Sequence, residues 1–135
     1  MTLGKKLLSG IAVTVACAAL ATVTAFANSS STSAGAYGTL YGSLNAPYGT
    51  NGTLQSLTTV TYNNNNAYLV FNYSITNTSG ASVQNGSSTS SRGTNYLPTS
   101  SAIWDSTAAV AYAAFGTHGV QGGSTAYAVY TYTQF

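Results

Sequence analysis

Between residues 36 and 135, apolar and polar positions alternate in short runs separated by clusters of Gly, Asn and Ser. A period of two places successive side chains on opposite faces of an extended chain, whereas a helix needs a period near 3.6. The clearest run is 67–76, where Leu69, Phe71, Tyr73 and Ile75 share one face and Tyr68, Val70, Asn72 and Ser74 the other. This predicts a strand whose first set is core.

The same period predicts strands at 36–44 and 54–62. In the first, Tyr37, Thr39 and Tyr41 oppose Leu40 and Leu44; in the second, Leu54, Thr58, Val60 and Tyr62 share a face. A further strand starts at 81–84, and the Ala-rich run 107–115 is expected to be extended despite its helix-forming composition. The last strand, 124–135, sets Tyr127, Val129 and Phe135 against Tyr130 and Tyr132.

Turn chemistry separates these runs. Asn51-Gly52 is a hairpin dipeptide within 47–52, Asn63–Asn66 tolerates left-handed backbone, and Asn77–Gly80 turns the chain. Asn85-Gly86 is expected to break its strand, and Gly116, Gly119, Gly122 and Gly123 to form a Gly-rich hairpin loop. The polar stretch around Pro98 is expected to be a connection. Six or seven short strands joined this way predict an all-β fold, a small antiparallel β-sandwich. No long-period repeat supports a solenoid.

The chain before this pattern reads differently. Lys5 and Lys6 precede an apolar run from Leu7 to Ala25, and Ala25-Phe26-Ala27 has the small-x-small spacing of a signal cleavage site. Residues 1–27 are therefore expected to be a secretory signal peptide, 28–35 a disordered lead-in, and 36–135 a single domain. An uncleaved anchor is the alternative, because the apolar run approaches spanning length. Cys17, the only cysteine, sits inside this run. Thr14, three positions earlier, and the hydrophobic chain after Cys17 argue against lipidation.

Charge changes the picture once the leader is set aside. The whole chain carries three Lys and Arg, one acid and one His, for a net +2. Both lysines belong to the leader, so Arg92 and Asp105 cancel in the remainder and no cysteine is left for a disulfide. Without a basic patch, nucleic acid is not an expected partner. With no polybasic segment, neither is a membrane after signal cleavage.

The same scarcity limits the chemistry. Two-carboxylate glycoside hydrolysis needs a second acid, and a metal site needs three or four ligands. A Ser/His/Asp arrangement has no Gly-x-Ser-x-Gly turn to single out a nucleophile. The low-priority polar set is Arg92, Asp105 and His118. His118 is expected to be a loop histidine bonded to main chain, Asp105 a turn or capping residue, and Arg92 a solvated loop residue or the partner of Asp105. No enzyme activity and no cofactor are expected.

Tyrosine is the strongest compositional signal, with 11 in the chain and none in the leader. Tyr offers rigid, amphipathic contact area at low entropy cost. Tyr37, Tyr41, Tyr68, Tyr130 and Tyr132 are the candidate contact surface.

The segments Ala36-Tyr37-Gly38-Thr39-Leu40-Tyr41-Gly42 and Tyr127-Ala128-Val129-Tyr130-Thr131-Tyr132, together with the short leader, give a layout that resembles small secreted β-sheet proteins of Gram-positive bacteria. Among named families it resembles the lactococcin 972-like bacteriocins. That resemblance implies a small secreted β-sandwich acting at the cell envelope, and it carries over no functional residue. The expected function is that of a secreted, non-catalytic protein working by surface contact, whether envelope-associated, adhesive or self-associating. The alternative is a bacteriocin-like protein acting on neighbouring cells. Candidate partners are cell-wall polymer, an envelope protein or a second copy, and the expected location is extracellular or cell-surface.

Overall fold

The computed structural model, which describes residues 28–46 and 52–135, contains eight strands, most of them formed by the alternating runs. The strands are β1 Ser29–Ser33, β2 Thr39–Asn45, β3 Thr53–Val60, β4 Tyr68–Thr76, β5 Ser82–Thr89, β6 Tyr96–Ala102, β7 Ala113–Gly122 and β8 Thr125–Gln134. A 3-10 turn, Gly35–Tyr37, links β1 to β2, and one short helix, α1 Asp105–Ala108, precedes β7. The first sheet has the order β1-β2-β3-β6 and the second β5-β4-β7-β8, with every pair antiparallel. The result is the expected all-β sandwich.

Strands β3 to β6 form one long hairpin folded over. β3 pairs with β6 in the first sheet, and β4 pairs with β5 in the second. The fold-over needs a corner where ladder bonds are interrupted, and the asparagine run supplies it. Asn63 Nδ2 donates to the Ala67 and Thr94 carbonyls at 3.1 and 2.8 Å, and its Oδ1 accepts from Ala67 N–H at 2.9 Å. One side-chain amide thus replaces the missing backbone partners of both arms. Asn66 takes the left-handed conformation, φ 57°.

Gln84 does the same at the other end. Its Nε2 donates to Tyr73 Oη and the Ala102 carbonyl, at 3.1 and 2.9 Å, and its Oε1 accepts from Trp104 N–H at 3.1 Å. β5 is thereby tied to the exit of β6 across the sandwich.

The core is divided. At one end Tyr37, Leu40, Val60, Leu69, Val120 and Val129 pack together; at the other, Leu44, Leu54, Phe71, Ile75, Ile103 and Ala114. Along β2, β3 and β7 the inward residues between the two clusters are Gly42, Ser56, Thr58, Gly116 and His118, so a polar belt crosses the middle.

Several expectations are corrected. The supposed lead-in forms β1 and the 3-10 turn, because pairing with β2 satisfies its backbone although it carries no apolar side chain. Eight strands replace six or seven. β5 runs through Asn85-Gly86, where the bare glycine accommodates the Tyr73 ring. The stretch around Pro98 is a strand, and the Ala-rich run begins inside a helix, Asp105–Ala108, before it turns extended at Ala113. Gly116, Gly119 and Gly122 lie inside β7, leaving Gly123-Ser124 as the loop. Tyr62 lies beyond β3 and is exposed. The expected leader, and residues 47–51 of the expected turn, lie outside the described residues.

Candidate functional site

The five candidate tyrosines do not share one surface. Tyr37 is 2% exposed, which removes it from any contact surface. The 3-10 turn swings its ring inward, where its Oη accepts from Asn65 Nδ2 at 2.7 Å and the ring meets Tyr127 edge-on, centroids 6.2 Å apart. Tyr41, at 37% exposure, is on the outer face of the first sheet. Tyr68, Tyr130 and Tyr132 are half-buried on the outer face of the second. There Tyr68 lies under the Arg92 guanidinium, 4.4 Å from ring centroid to Cζ, and Tyr132 packs on Phe115 at 5.2 Å.

The exposed aromatic partner of Tyr41 is Tyr96, 61% exposed, a residue that sequence pattern did not single out. Tyr41 pairs with Thr59, and Thr59 pairs with Tyr96. The two rings therefore stand in one row across the outer face, two strand spacings or about 10 Å apart. The next row on this face contains Ser43, Leu57 and Pro98. Among the described residues, no ionisable side chain other than tyrosine phenols lies on this face. Trp104, Val110 and Tyr112 are exposed in the β6–β7 connection, at the far end of the molecule. Tyr96 escaped notice because Pro98 and its polar neighbours look like a connection; the alternation of Leu97 with Tyr96 and Pro98 was the available signal.

The polar trio is dispersed. Arg92 is exposed in the β5–β6 connection, beside the Asn63 corner, and Asp105 is exposed on α1 at the opposite end. His118 is fully buried between them. Arg92 engages Tyr68, not Asp105, and among the described residues no three His, Cys, Asp or Glu side chains gather.

His118 also departs from its expected role, since it bonds side chains within the core and not main chain in a loop. Its Nδ1 lies 2.8 Å from Thr58 Oγ1 on β3, and its Nε2 lies 2.8 Å from Thr131 Oγ1 on β8. The ring packs on Phe71, centroids 4.9 Å apart. A neutral imidazole has one donor and one acceptor nitrogen, so one hydroxyl accepts and the other donates. Burial lowers the His118 pKa from 6.5 to about 4, because no charged partner offsets the lost hydration. This side chain joins the two sheets. With no surface exposed, it cannot meet a dissolved substrate.

No protein-family model and no curated protein sequence matches the chain.

Proposed function

We propose that the protein is secreted and works without catalysis, by surface contact at the cell envelope, through the outer face of the first sheet. The observation that carries this reading is the Tyr41–Thr59–Tyr96 row. Two exposed rings in line on a rigid sheet present preorganised apolar faces, and the surrounding hydroxyls supply hydrogen bonds without long-range charge. A neutral, hydroxyl-rich polymer of the cell wall matches that chemistry. The dispersal of Arg92, Asp105 and His118 supports a non-catalytic role, since none of the three lies near enough to another to act jointly.

The test is binding of the purified protein to isolated Gram-positive cell walls. Tyr41→Ser and Tyr96→Ser are each expected to weaken binding about tenfold, the loss of one buried aromatic contact. Melting temperature should change little for Tyr96→Ser, whose side chain is mostly exposed, and fall modestly for Tyr41→Ser, whose side chain is more covered, with the fold kept in both. Equal binding by the double variant would overturn the reading. Growth inhibition of related strains by protein that does not bind walls would favour a bacteriocin-like role.

A further inference from the structure

An open sheet edge offers unpaired N–H and C=O groups to any strand that approaches, so stable soluble proteins block their edges. Three of the four edges here are blocked. β1 is only five residues long. β5 has a register shift opposite Ile75/Thr76 and contains Asn85-Gly86, two residues poor in strand propensity. β6 contains Pro98. Val60 N–H donates to the Asn95 carbonyl and Ile103 N–H to the Gly52 carbonyl, so Leu97, Thr99 and Ser101 face β3. Pro98 then belongs to the outward set, where its missing N–H interrupts any strand laid alongside.

β8 has no block. It is ten residues long, without charge or proline, and its register with β7 runs unbroken from Gly122↔Thr125 to Ala113↔Gln134. Gly123 (φ 57°) opens the two-residue loop, which makes Gly122–Thr125 a hydrogen-bonded pair. At the other end Phe135 N–H donates to the Tyr112 carbonyl at 3.0 Å. Alternation between these two points directs the N–H and C=O of Ala126, Ala128, Tyr130, Tyr132 and Gln134 away from β7. Among the described residues nothing pairs with them.

We infer that β8 pairs antiparallel with β8 of a second copy, in the register centred on Tyr130. The outward residues are symmetric about Tyr130, so a two-fold axis there uses all of them at once. On the outer face this register sets Tyr132 of one copy beside Ala128 of the other, large against small. No charge stands on the strand to oppose the approach. The aromatic tract of Phe115 and Tyr132 borders this edge, so a second strand extends a surface that is already apolar. The pairing goes beyond the Tyr41–Tyr96 reading, because it uses the other sheet and stands whether or not that face binds the envelope.

The experiment uses protein purified from the medium of cells exporting the full chain. Sedimentation equilibrium should give a dimer, and hydrogen exchange should show the amides of Ala126, Ala128, Tyr130 and Tyr132 gaining protection as concentration rises. Ala128→Lys puts a cation at the edge and should weaken the dimer at least tenfold while the thermal midpoint of the monomer is kept. Ala126→Lys serves the same purpose should Ala128→Lys not fold. Ser87→Lys on the β5 edge, and Tyr41→Ser with Tyr96→Ser, should leave the dimer intact. A monomer at every concentration overturns the proposal. So does an undiminished dimer in both folded lysine variants of β8, a dimer lost with Ser87→Lys or with the tyrosine pair, or concentration-dependent protection confined to β5 or β6.

Discussion

Gly42 on β2 lies so close to the His118 imidazole on β7 that a methyl group at position 42 would overlap the ring. The bare backbone of one sheet is the seat for the histidine of the other. His118 cannot retreat, since both nitrogens are held by threonine hydroxyls and Phe71 lies against its face. Gly42→Ala should therefore destabilise the fold by about 3 kcal/mol, the upper end for overpacking a filled core. Chemical denaturation checks this, and a loss under 0.5 kcal/mol, roughly the spread of harmless surface changes, would mean the ring has room to move.

Stability should depend on pH through His118. The unfolded chain takes up this proton near 6.5 and the folded chain only near 4. Stability is then full above 6.5, declines as pH falls from 6.5 towards 4, and levels off below. The decline amounts to about 3 kcal/mol. His118 is the only histidine of the chain. His118→Leu should be less stable at pH 7, because it leaves Thr58 and Thr131 without their partner, and should show a flat profile between 6.5 and 4. An equally steep profile in that variant would assign the effect elsewhere.

Gln84 makes three hydrogen bonds that tie β5 to the chain leaving β6. Gln84→Ala leaves the Ala102 carbonyl and Trp104 N–H without those partners, at a cost of about 2 kcal/mol. Hydrogen exchange at the Trp104 amide should quicken more than exchange at amides in the middle of β4. Uniform acceleration would point to global destabilisation and not to a local tie.

Thr107 on α1 is buried, and its Oγ1 has no hydrogen-bond partner. Thr107→Val keeps the shape and removes the unpaired hydroxyl. It should raise stability by about 1 kcal/mol, with a higher melting temperature. A lower one would show that the hydroxyl is solvated in solution.

How much of this was legible depends on the range of the interaction involved. Leu69, Phe71 and Ile75 are buried as their alternation predicts, because burial of one sheet face writes a local period of two into the chain. β8 likewise separates Tyr127 and Val129 from Tyr130 and Tyr132 as expected. β1 left no such trace: a Ser/Thr strand is held by backbone bonds to β2, and those carry no side-chain pattern. Pro98 was misleading for a related reason, since proline is tolerated on an edge strand and edge position is not a local property.

The candidate surface shows the same division. Tyr41 and Tyr96 are neighbours only because β3 stands between β2 and β6, a pairing across residues far apart in sequence. Tyr37 alternates like a surface tyrosine, yet a three-residue turn carries it inside. His118 sits among glycines and resembles a loop residue, while the space that receives it is made by Gly42 from the other sheet.

By itself the sequence determined the all-β class, the inward face of the central strand and the near-absence of charge outside the first 27 residues. Each of these is a property of neighbouring residues or of composition. The tertiary structure alone decided that His118 is a core residue, that Tyr41 and Tyr96 share a row, and that β8 is an open edge. Those outcomes depend on which strands become neighbours, and strand pairing is settled by contacts between residues distant along the chain.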